Sequence, residues 1–141
     1  MYNISERAVA SFGGLATFGI GIRYDPPNEC PYRTRLLCDV TAEGKALLED
    51  YFGAQLQLTP SNGDYVRGKP AIGSLMLPFQ ITESLATFAF FRSGALAVMG
   101  GYETVGIFDE EYLARCEAAV QAGRADSRMW LSRNPSLTAQ A

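Results

Sequence analysis

The chain has 141 residues, with 12 Lys+Arg against 15 Asp+Glu, 48% hydrophobic residues and no histidine. This length predicts one domain, and the high apolar and low charged fractions exclude an intrinsically disordered chain. Histidine is the side chain most used for acid–base catalysis near neutral pH and the most common metal ligand, so its absence disfavours both kinds of site. A net charge of −3 also disfavours sequence-independent binding to nucleic acid.

The cysteines and the apolar segments indicate the compartment. Cys30, Cys38 and Cys116 have unrelated spacings and include no CxxC pair, which excludes a zinc knuckle and a thioredoxin-type redox pair. An odd and sparse set predicts reduced thiols, because small secreted scaffolds carry denser, even sets. The uncharged segment 8–22 is too short and too glycine-rich to span a bilayer. The sequence therefore predicts a small acidic cytoplasmic protein without a membrane segment.

The clearest pattern is a two-residue alternation of apolar and polar side chains in residues 15–24 and again in residues 32–40. A short helix closed by Gly13-Gly14 is predicted before the first run. Alternation predicts half-buried strands, and the proline-containing loop at 25–31 joins the two runs as an antiparallel pair. The expected inward side chains are Ala16, Phe18, Ile20, Ile22 and Tyr24 in the first run and Tyr32, Thr34, Leu36, Cys38 and Val40 in the second.

Two helices are predicted from their capping residues. Thr41 is a suitable N-cap for the first, and Gly53 is a natural residue to end it. Asp109 begins the second helix, whose apolar stripe runs to a closing Gly123. A final turn or two begins at Asp126.

The chain between these helices predicts further short strands. Residues 65–69 return as a strand after a strong turn signal at 60–64, and residues 75–81 suit another strand that Pro78 places at an edge or a bulge. Three more strands are predicted in the apolar stretch that follows, at 85–92, 95–99 and 102–108. A helix over residues 84–91 is the competing interpretation, because periodicity cannot separate the two in so short a run.

The order of these elements predicts an α+β fold. We expect a mainly antiparallel, twisted sheet of about five to seven short strands, packed against two or three helices, because the predicted strands adjoin one another in sequence. Residues 1–134 are expected to form a single compact domain, followed by a flexible C-terminal tail at 135–141.

Two glycine-containing motifs resemble phosphate-binding signatures and are assigned structural roles. Residues 63–69 have the glycine and lysine spacing of a P-loop, but Pro70 stands where Ser or Thr should bind Mg²⁺, so we predict a hairpin. Gly19-Ile20-Gly21 lacks the third glycine of a dinucleotide fingerprint and lies within a strand. Its glycines are expected to let another part of the chain approach the sheet closely.

No catalytic, cofactor or metal site is predicted. The chain has thiols and hydroxyls but no imidazole to activate them. Cys38 and Cys116 lie on apolar faces, and the acidic neighbour of the loop residue Cys30 argues against a reactive thiolate. The carboxylate pairs are explained by a solvated helix face and a helix N-terminus, while carboxylate-only Mg²⁺ binding is left open.

The least ordinary feature is the arginine content, since ten of the 12 basic residues are Arg. Arginine suits bidentate pairing with carboxylate or phosphate at an interface, although coding bias in a GC-rich genome would produce the same count. Two candidate interface patches follow, because arginine and aromatic residues are enriched at binding hot spots. The first patch contains Arg23, Tyr24, Tyr32, Arg33 and Arg35. The second contains Arg124, Arg128, Trp130 and Arg133.

Three hypotheses of function are compatible with this sequence. The first is a non-enzymatic protein that acts through a protein–protein interface, as an inhibitor or adaptor of a larger complex; phage or mobile-element anti-defence proteins, such as anti-CRISPR proteins, are one population of this kind. The second is a small-molecule-binding protein or enzyme with a pocket between sheet and helices. That pocket would be lined by Phe18, Tyr24, Phe88, Phe90 and Tyr102. The third is a homo-oligomeric structural subunit.

Overall fold

A computed structural model of the protein describes residues 14–23, 35–93 and 110–138. Within these ranges, an antiparallel four-stranded sheet in the order β1-β2-β6-β3 and a two-stranded sheet of β4 and β5 pack with three helices. The strands are β1 (Ile20–Arg23), β2 (Arg35–Val40), β3 (Thr59–Pro60), β4 (Tyr65–Val66), β5 (Lys69–Pro70) and β6 (Gly73–Pro78). The helices are α1 (Ala42–Phe52), α2 (Phe79–Ser93) and α3 (Glu110–Ser132). The predicted α+β class is confirmed.

The predicted antiparallel pair is β1 with β2. Their register runs from Ile20 opposite Val40 to Arg23 opposite Leu37. The first strand is shorter than predicted, because Ala16–Phe18 form a 3-10 turn that ends at Gly19 with a φ of 89°. The chain can therefore extend only from Ile20 onward.

The hydrophobic core lies between the four-stranded sheet and the helices. Leu36, Cys38 and Val40 are buried on the inward face of β2, as the alternation predicts. Along β6, Leu75 and Leu77 are buried on the same face. The principal partners from the helices are the buried side chains of Leu47, Leu48, Tyr51, Phe52, Leu85, Ala86, Phe88, Ala89, Val120 and Leu131.

The start of α1 is tied to the start of β1 by Thr41. Its backbone N–H donates to the Gly19 carbonyl at 2.9 Å. Its hydroxyl donates to the same carbonyl and accepts the N–H of Gly44, each at 3.2 Å. A Cβ on Gly44 would lie 2.8 Å from the Gly19 carbonyl carbon, so both glycines are needed for this close approach. The predicted N-cap is confirmed, and so is the predicted role of glycine at the start of β1.

The end of α1 is also as predicted, since Gly53 adopts the left-handed conformation with a φ of 69°. The following loop is held by Glu49, whose carboxylate accepts the N–H of Leu56 at 2.9 Å. Leu56 forms an isolated antiparallel bridge with Thr138, which follows a 3-10 turn at Pro135–Leu137. The described part of 135–141 thus contacts this loop, and the division of the chain at residue 134 stays a prediction.

The segment with P-loop spacing forms the β4–β5 hairpin. Val66 pairs with Lys69, and the two turn residues, Arg67 and Gly68, both have positive φ, at 51° and 82°. Two positive φ values are typical of the type I′ turn, whose twist matches that of paired strands. No helix begins after Lys69, so the predicted hairpin is confirmed.

Three predictions for the region from β6 to the end of α2 are wrong. The strand predicted at 75–81 ends at Pro78, and residues 85–92 belong to α2, the competing interpretation. Pro78 is not on an edge strand, because β6 lies between β2 and β3, and proline is the last residue of that strand. Helix α2 is apolar around most of its circumference, so neither period dominates its sequence. The strands predicted at 95–99 and 102–108, like the helix before Gly14, lie outside the described residues.

Helix α3 does not end at Gly123 as predicted. It continues without interruption to Ser132 and includes the turn that was expected to begin at Asp126. Gly123 instead marks a close helix crossing, because a Cβ there would lie 3.0 Å from the Cβ of Ser84 in α2.

Replacing Thr41 with Val tests its capping role. We expect Thr41→Val to lower the free energy of unfolding by about 1–2 kcal/mol, because it removes the N-cap acceptor and the bond to Gly19. Urea denaturation of the purified protein measures this loss. Thr41→Ser should retain most of the stability. Thr87→Val is the matched control, since the Thr87 hydroxyl donates only to Glu83 within α2. Equal losses for Thr41→Val and Thr87→Val would contradict the capping role.

Glu49 is expected to contribute to acid sensitivity. Burial raises the pKa of Glu49, but the hydrogen bond from the Leu56 N–H and the charge of the Lys45 ammonium together lower it by more. The pKa of Glu49 in the folded protein therefore lies below its usual value. Because the pKa of Glu49 is lower in the folded state than in the unfolded state, its carboxylate stabilises the protein fully at pH values above the unfolded-state pKa. This stabilisation is lost as the pH falls through the folded-state pKa. Unfolding free energies from pH 6 to pH 3 should therefore decline less steeply for Glu49→Gln than for wild type. Glu117→Gln, which removes an exposed carboxylate on α3, is the control and should leave the decline unchanged.

Candidate protein interface

The outer face of the four-stranded sheet carries two of the arginines that the sequence indicated. Because side chains alternate along a strand, the residues between the buried ones point away from the helices. The strand register aligns Arg23, Leu37 and Met76 in one row across β1, β2 and β6. The next row pairs Arg35 with Pro78. The face formed by these five residues is called the outer patch below.

The outer patch is open at its β6 side. Met76 is 43% exposed and is one of four exposed large hydrophobic side chains among the described residues. Leu37 beside it is half-buried. At the opposite end of β1 and β2, the β4–β5 hairpin covers the sheet, because Val66 is buried and a Cβ on Gly21 would lie 3.2 Å from its Cγ2. The hairpin therefore leaves the Met76 end of this face exposed.

Arg23 links the sheet to the hairpin. Its guanidinium contacts the Asp39 carboxylate at 2.7 Å and the Asp64 carboxylate at 2.5 Å. The hydrogen bond and the charge of Asp39, together with the charge of Asp64, raise the pKa of Arg23. Asp39 is buried although it points outward, and Arg23 supplies its counter-charge. Two carboxylates therefore neutralise much of the positive charge at this end of the outer patch.

Arg35 differs from Arg23. It is exposed at the start of β2, and no carboxylate lies within ion-pair distance of it among the residues that the structure describes. Its cross-strand neighbour is Pro78, which is uncharged. The remaining members of the first predicted cluster, Tyr24, Tyr32 and Arg33, lie outside the described residues.

The second predicted patch has internal contacts. Arg124 donates to the carbonyls of Asp50 and Tyr51 at 2.8 and 3.2 Å, and its guanidinium lies 5.0 Å from the centre of the Phe88 ring. Arg128 donates to the Phe52 carbonyl at 3.3 Å. These carbonyls lie in the last turn of α1, where the helix dipole favours positive charge.

The other two members of that patch lie further along α3. Trp130 is half-buried, with its ring centre 6.3 Å from that of Phe52, and Arg133 is exposed just after the helix. The sequence offers no signal for the hydrogen bonds of Arg124 and Arg128 to the carbonyls of α1, because they join residues more than 70 positions apart. An interface role for this patch stays a prediction.

The aromatic residues of the predicted pocket separate into two clusters. Phe18 and Phe90 meet edge to face with ring centres 5.5 Å apart, whereas Phe88 packs against Tyr51 at 5.2 Å. A cavity of about 350 Å³ lies between α1, α2 and the 3-10 turn at Ala16–Phe18, and of the described residues predicted to line a pocket, Phe18 alone lines it. The described residues that line it are Phe18, Glu43, Ala46, Leu47, Ala89 and Arg92. Tyr24 and Tyr102 lie outside the described residues.

Two buried groups that could act as nucleophiles, Cys38 and Tyr51, both have a pKa above the usual value. Burial, and then the charge of Asp39, raise the pKa of the Cys38 thiol to about 12. Burial also raises the pKa of Tyr51, whose hydroxyl lies 2.5 Å from that of Ser127. Among the residues that the structure describes, no three His, Cys, Asp or Glu side chains are grouped so that they could hold a metal ion.

The chain was compared with protein-family models, curated proteins and solved structures. No protein-family model, no curated protein and no solved structure matches the chain. Within residues 14–23, 35–93 and 110–138, none of the helices combines the length and the apolar character needed to cross a membrane.

Cys38 is expected to be inert toward thiol reagents in the folded protein. In a Cys30→Ser, Cys116→Ser double variant, Cys38 is the only thiol left. With a pKa of about 12, roughly one thiol in ten thousand is ionised at pH 8, and the thiolate is the reactive form. Labelling by a chromogenic disulfide reagent should be negligible in buffer and complete in denaturant. Rapid labelling of the native variant, with unchanged circular dichroism, would contradict the buried position.

Proposed function

We propose that this protein acts by binding another protein through the outer patch, as an inhibitor or adaptor of a larger complex. The observation that carries the proposal is the open row of Arg23, Leu37 and Met76, with Arg35 beside it. A methionine exposed on a sheet face offers apolar area that adapts to a partner. The coverage of this face by the β4–β5 hairpin ends before Met76.

The charges around Met76 indicate the chemistry of the partner. Arg23 is already paired with two carboxylates, so it presents little net charge to an incoming surface. Arg35 is exposed and lacks such a pair in the described part of the chain, and its planar guanidinium suits a bidentate carboxylate. We therefore infer a protein partner with an apolar surface that contacts Met76 and Leu37, bordered by an Asp or Glu that contacts Arg35.

Capture from a cell lysate of the source organism tests this proposal when it compares matched variants. The immobilised wild-type chain should retain a stoichiometric partner, and Met76→Glu should reduce retention by roughly tenfold or more, as expected for the centre of an interface. Arg35→Glu should also weaken retention, and the effect should diminish at high salt because the interaction is electrostatic. Met129→Glu is the control, since Met129 is a 56% exposed methionine on α3.

Three outcomes would contradict the proposal. One is equal retention by wild type and Met76→Glu when both variants melt at the same temperature. Another is loss of retention by Met129→Glu, which would move the interface to α3. The third is a size-exclusion result in which the wild-type protein elutes at a multiple of 15.3 kDa and the Met76→Glu variant elutes as a monomer. That result would assign the outer patch to a homo-oligomer.

A further inference from the structure

The β4–β5 hairpin is attached to the outer face of the sheet by one buried side chain. Among residues 65–70, Val66 alone is buried, and the other five residues are exposed. Val66 lies over Gly21 of β1, where a Cβ would come within 3.2 Å of the Val66 Cγ2. Gly21 therefore leaves room on the sheet for an aliphatic side chain, because it has none of its own. Within the part of the chain that the structure describes, no backbone hydrogen bond joins residues 64–71 to the four-stranded sheet.

Three polar contacts at the edges of the hairpin complete this attachment. They are Asp64 with Arg23 at 2.5 Å, the Arg67 guanidinium with the Thr17 hydroxyl at 3.1 Å, and Lys69 with Glu43 at 4.0 Å. All six side chains are partly or largely exposed. Such contacts contribute little to stability in water and are screened by salt.

Loss of the contact between Arg23 and Asp64 leaves no buried charge without a partner. Arg23 uses its Nε for the Asp39 carboxylate at 2.7 Å and a different nitrogen, Nη2, for the Asp64 carboxylate. Asp39 is the buried member of this group. Its ion pair stays within the sheet when Asp64 moves away, so the large penalty for an unpaired buried charge does not arise.

The hairpin is closed by hydrogen bonds of its own. The Asp64 carbonyl accepts the N–H of Ala71 at 2.8 Å, and Val66 pairs with Lys69. The chain enters the hairpin through Gly63, which has a φ of 85° and open space where a Cβ would lie. Movement of the whole hairpin therefore breaks none of its internal bonds. Local units with so few buried contacts open more readily than the core of a protein.

We propose that the β4–β5 hairpin is a flap that opens from the sheet as one unit and regulates the outer patch. The closed flap places Val66 on Gly21 and Asp64 on Arg23. The open flap uncovers both positions, so the accessible outer face extends from Met76 to β1. A partner segment with an aliphatic side chain and a carboxylate then takes the place of the flap, because those are the groups that the flap itself puts there. Opening is a property of the free protein, and only its use by a partner rests on the proposed function.

Thiol labelling of the purified protein measures the opening. In a Cys30→Ser, Cys116→Ser background, Val66→Cys places a thiol under the flap, and the fully buried Cys38 reports unfolding of the sheet. Each labelling rate is divided by the rate of the same thiol in denaturant. We expect an uncharged disulfide reagent to label the introduced thiol roughly a hundredfold faster than Cys38 on this scale, because local opening precedes unfolding of the core. Asp64→Asn should raise the first rate about threefold and leave the second unchanged, because it removes an exposed ion pair.

Two results of this experiment would overturn the flap. Equal normalised rates for the two thiols would show that the hairpin leaves the sheet only when the protein unfolds. A rate at the introduced thiol that does not respond to Asp64→Asn would show that the ion pair does not hold the flap closed. Asp126→Asn removes an exposed carboxylate on α3 and is the matched control, which should leave both rates unchanged.

A disulfide between the flap and the sheet tests the regulation. A Cβ on Gly21 would lie 3.8 Å from the Cβ of Val66, which is the usual separation in a disulfide. In the same background, Gly21→Cys combined with Val66→Cys should therefore hold the flap closed when oxidised. Retention of the partner should be roughly fivefold or more lower for the oxidised form than for the reduced form, because the partner binds only the open state.

The two forms of this variant separate the possible failures. Equal retention of the partner by the oxidised and reduced forms would refute regulation by the flap. If the wild-type chain retains no partner, the proposed function and the use of the flap by a partner both fail. The labelling rates still decide in that case whether the flap opens.

Discussion

The contact between Thr41, Gly19 and Gly44 is the constraint on which the rest of this fold depends. It joins the first residue after β2 to the residue before β1 and to the first turn of α1. The direction in which α1 leaves the sheet follows from it, because the hydroxyl of Thr41 bonds to both elements at once. Only two residues without side chains can approach so closely. The helix layer is thereby positioned over the inward face of β1 and β2.

The opposite end of α1 is held by charge. Arg124 and Arg128 of α3 donate to carbonyls in its last turn, and Arg92 of α2 contacts Asp50 beside them. Three arginines from two other helices thus meet one helix C-terminus, where their charge is favourable. The same arrangement brings Arg92 into the lining of the cavity between α1 and α2.

The two faces of the sheet are suited to different tasks. The inward face is apolar and covered by helices, so it supplies stability. The outer patch has a half-buried leucine, an exposed methionine and an exposed Arg35, which suit contact with another molecule. Arg23 lies on this outer face but is paired with Asp39 and Asp64, and its main effect is to attach the hairpin. Two arginines predicted to act alike are thus distinguished by their carboxylate neighbours.

Features that depend on neighbouring residues could be predicted from the sequence. The alternation around Leu36, the cap at Thr41, the left-handed Gly53 and the hairpin after Gly63 are all local, because period and turn chemistry act over a few residues. The placement of Arg23 and Arg35 on one sheet face also followed from the sequence, since a fixed two-residue period assigns each residue to a face.

Features that depend on residues distant in sequence became visible only in the folded structure. Residues 85–92 are helical, but their sequence does not distinguish a helix from a strand, because buried side chains lie around most of this helix and hide its period. Gly123 serves a crossing with Ser84 and does not end its helix, since the partner is nearly 40 residues away in sequence. The carbonyl contacts of Arg124 and the cavity between Glu43 and Arg92 likewise join separate helices. No local pattern encodes such pairings, because they exist only after the helices have packed.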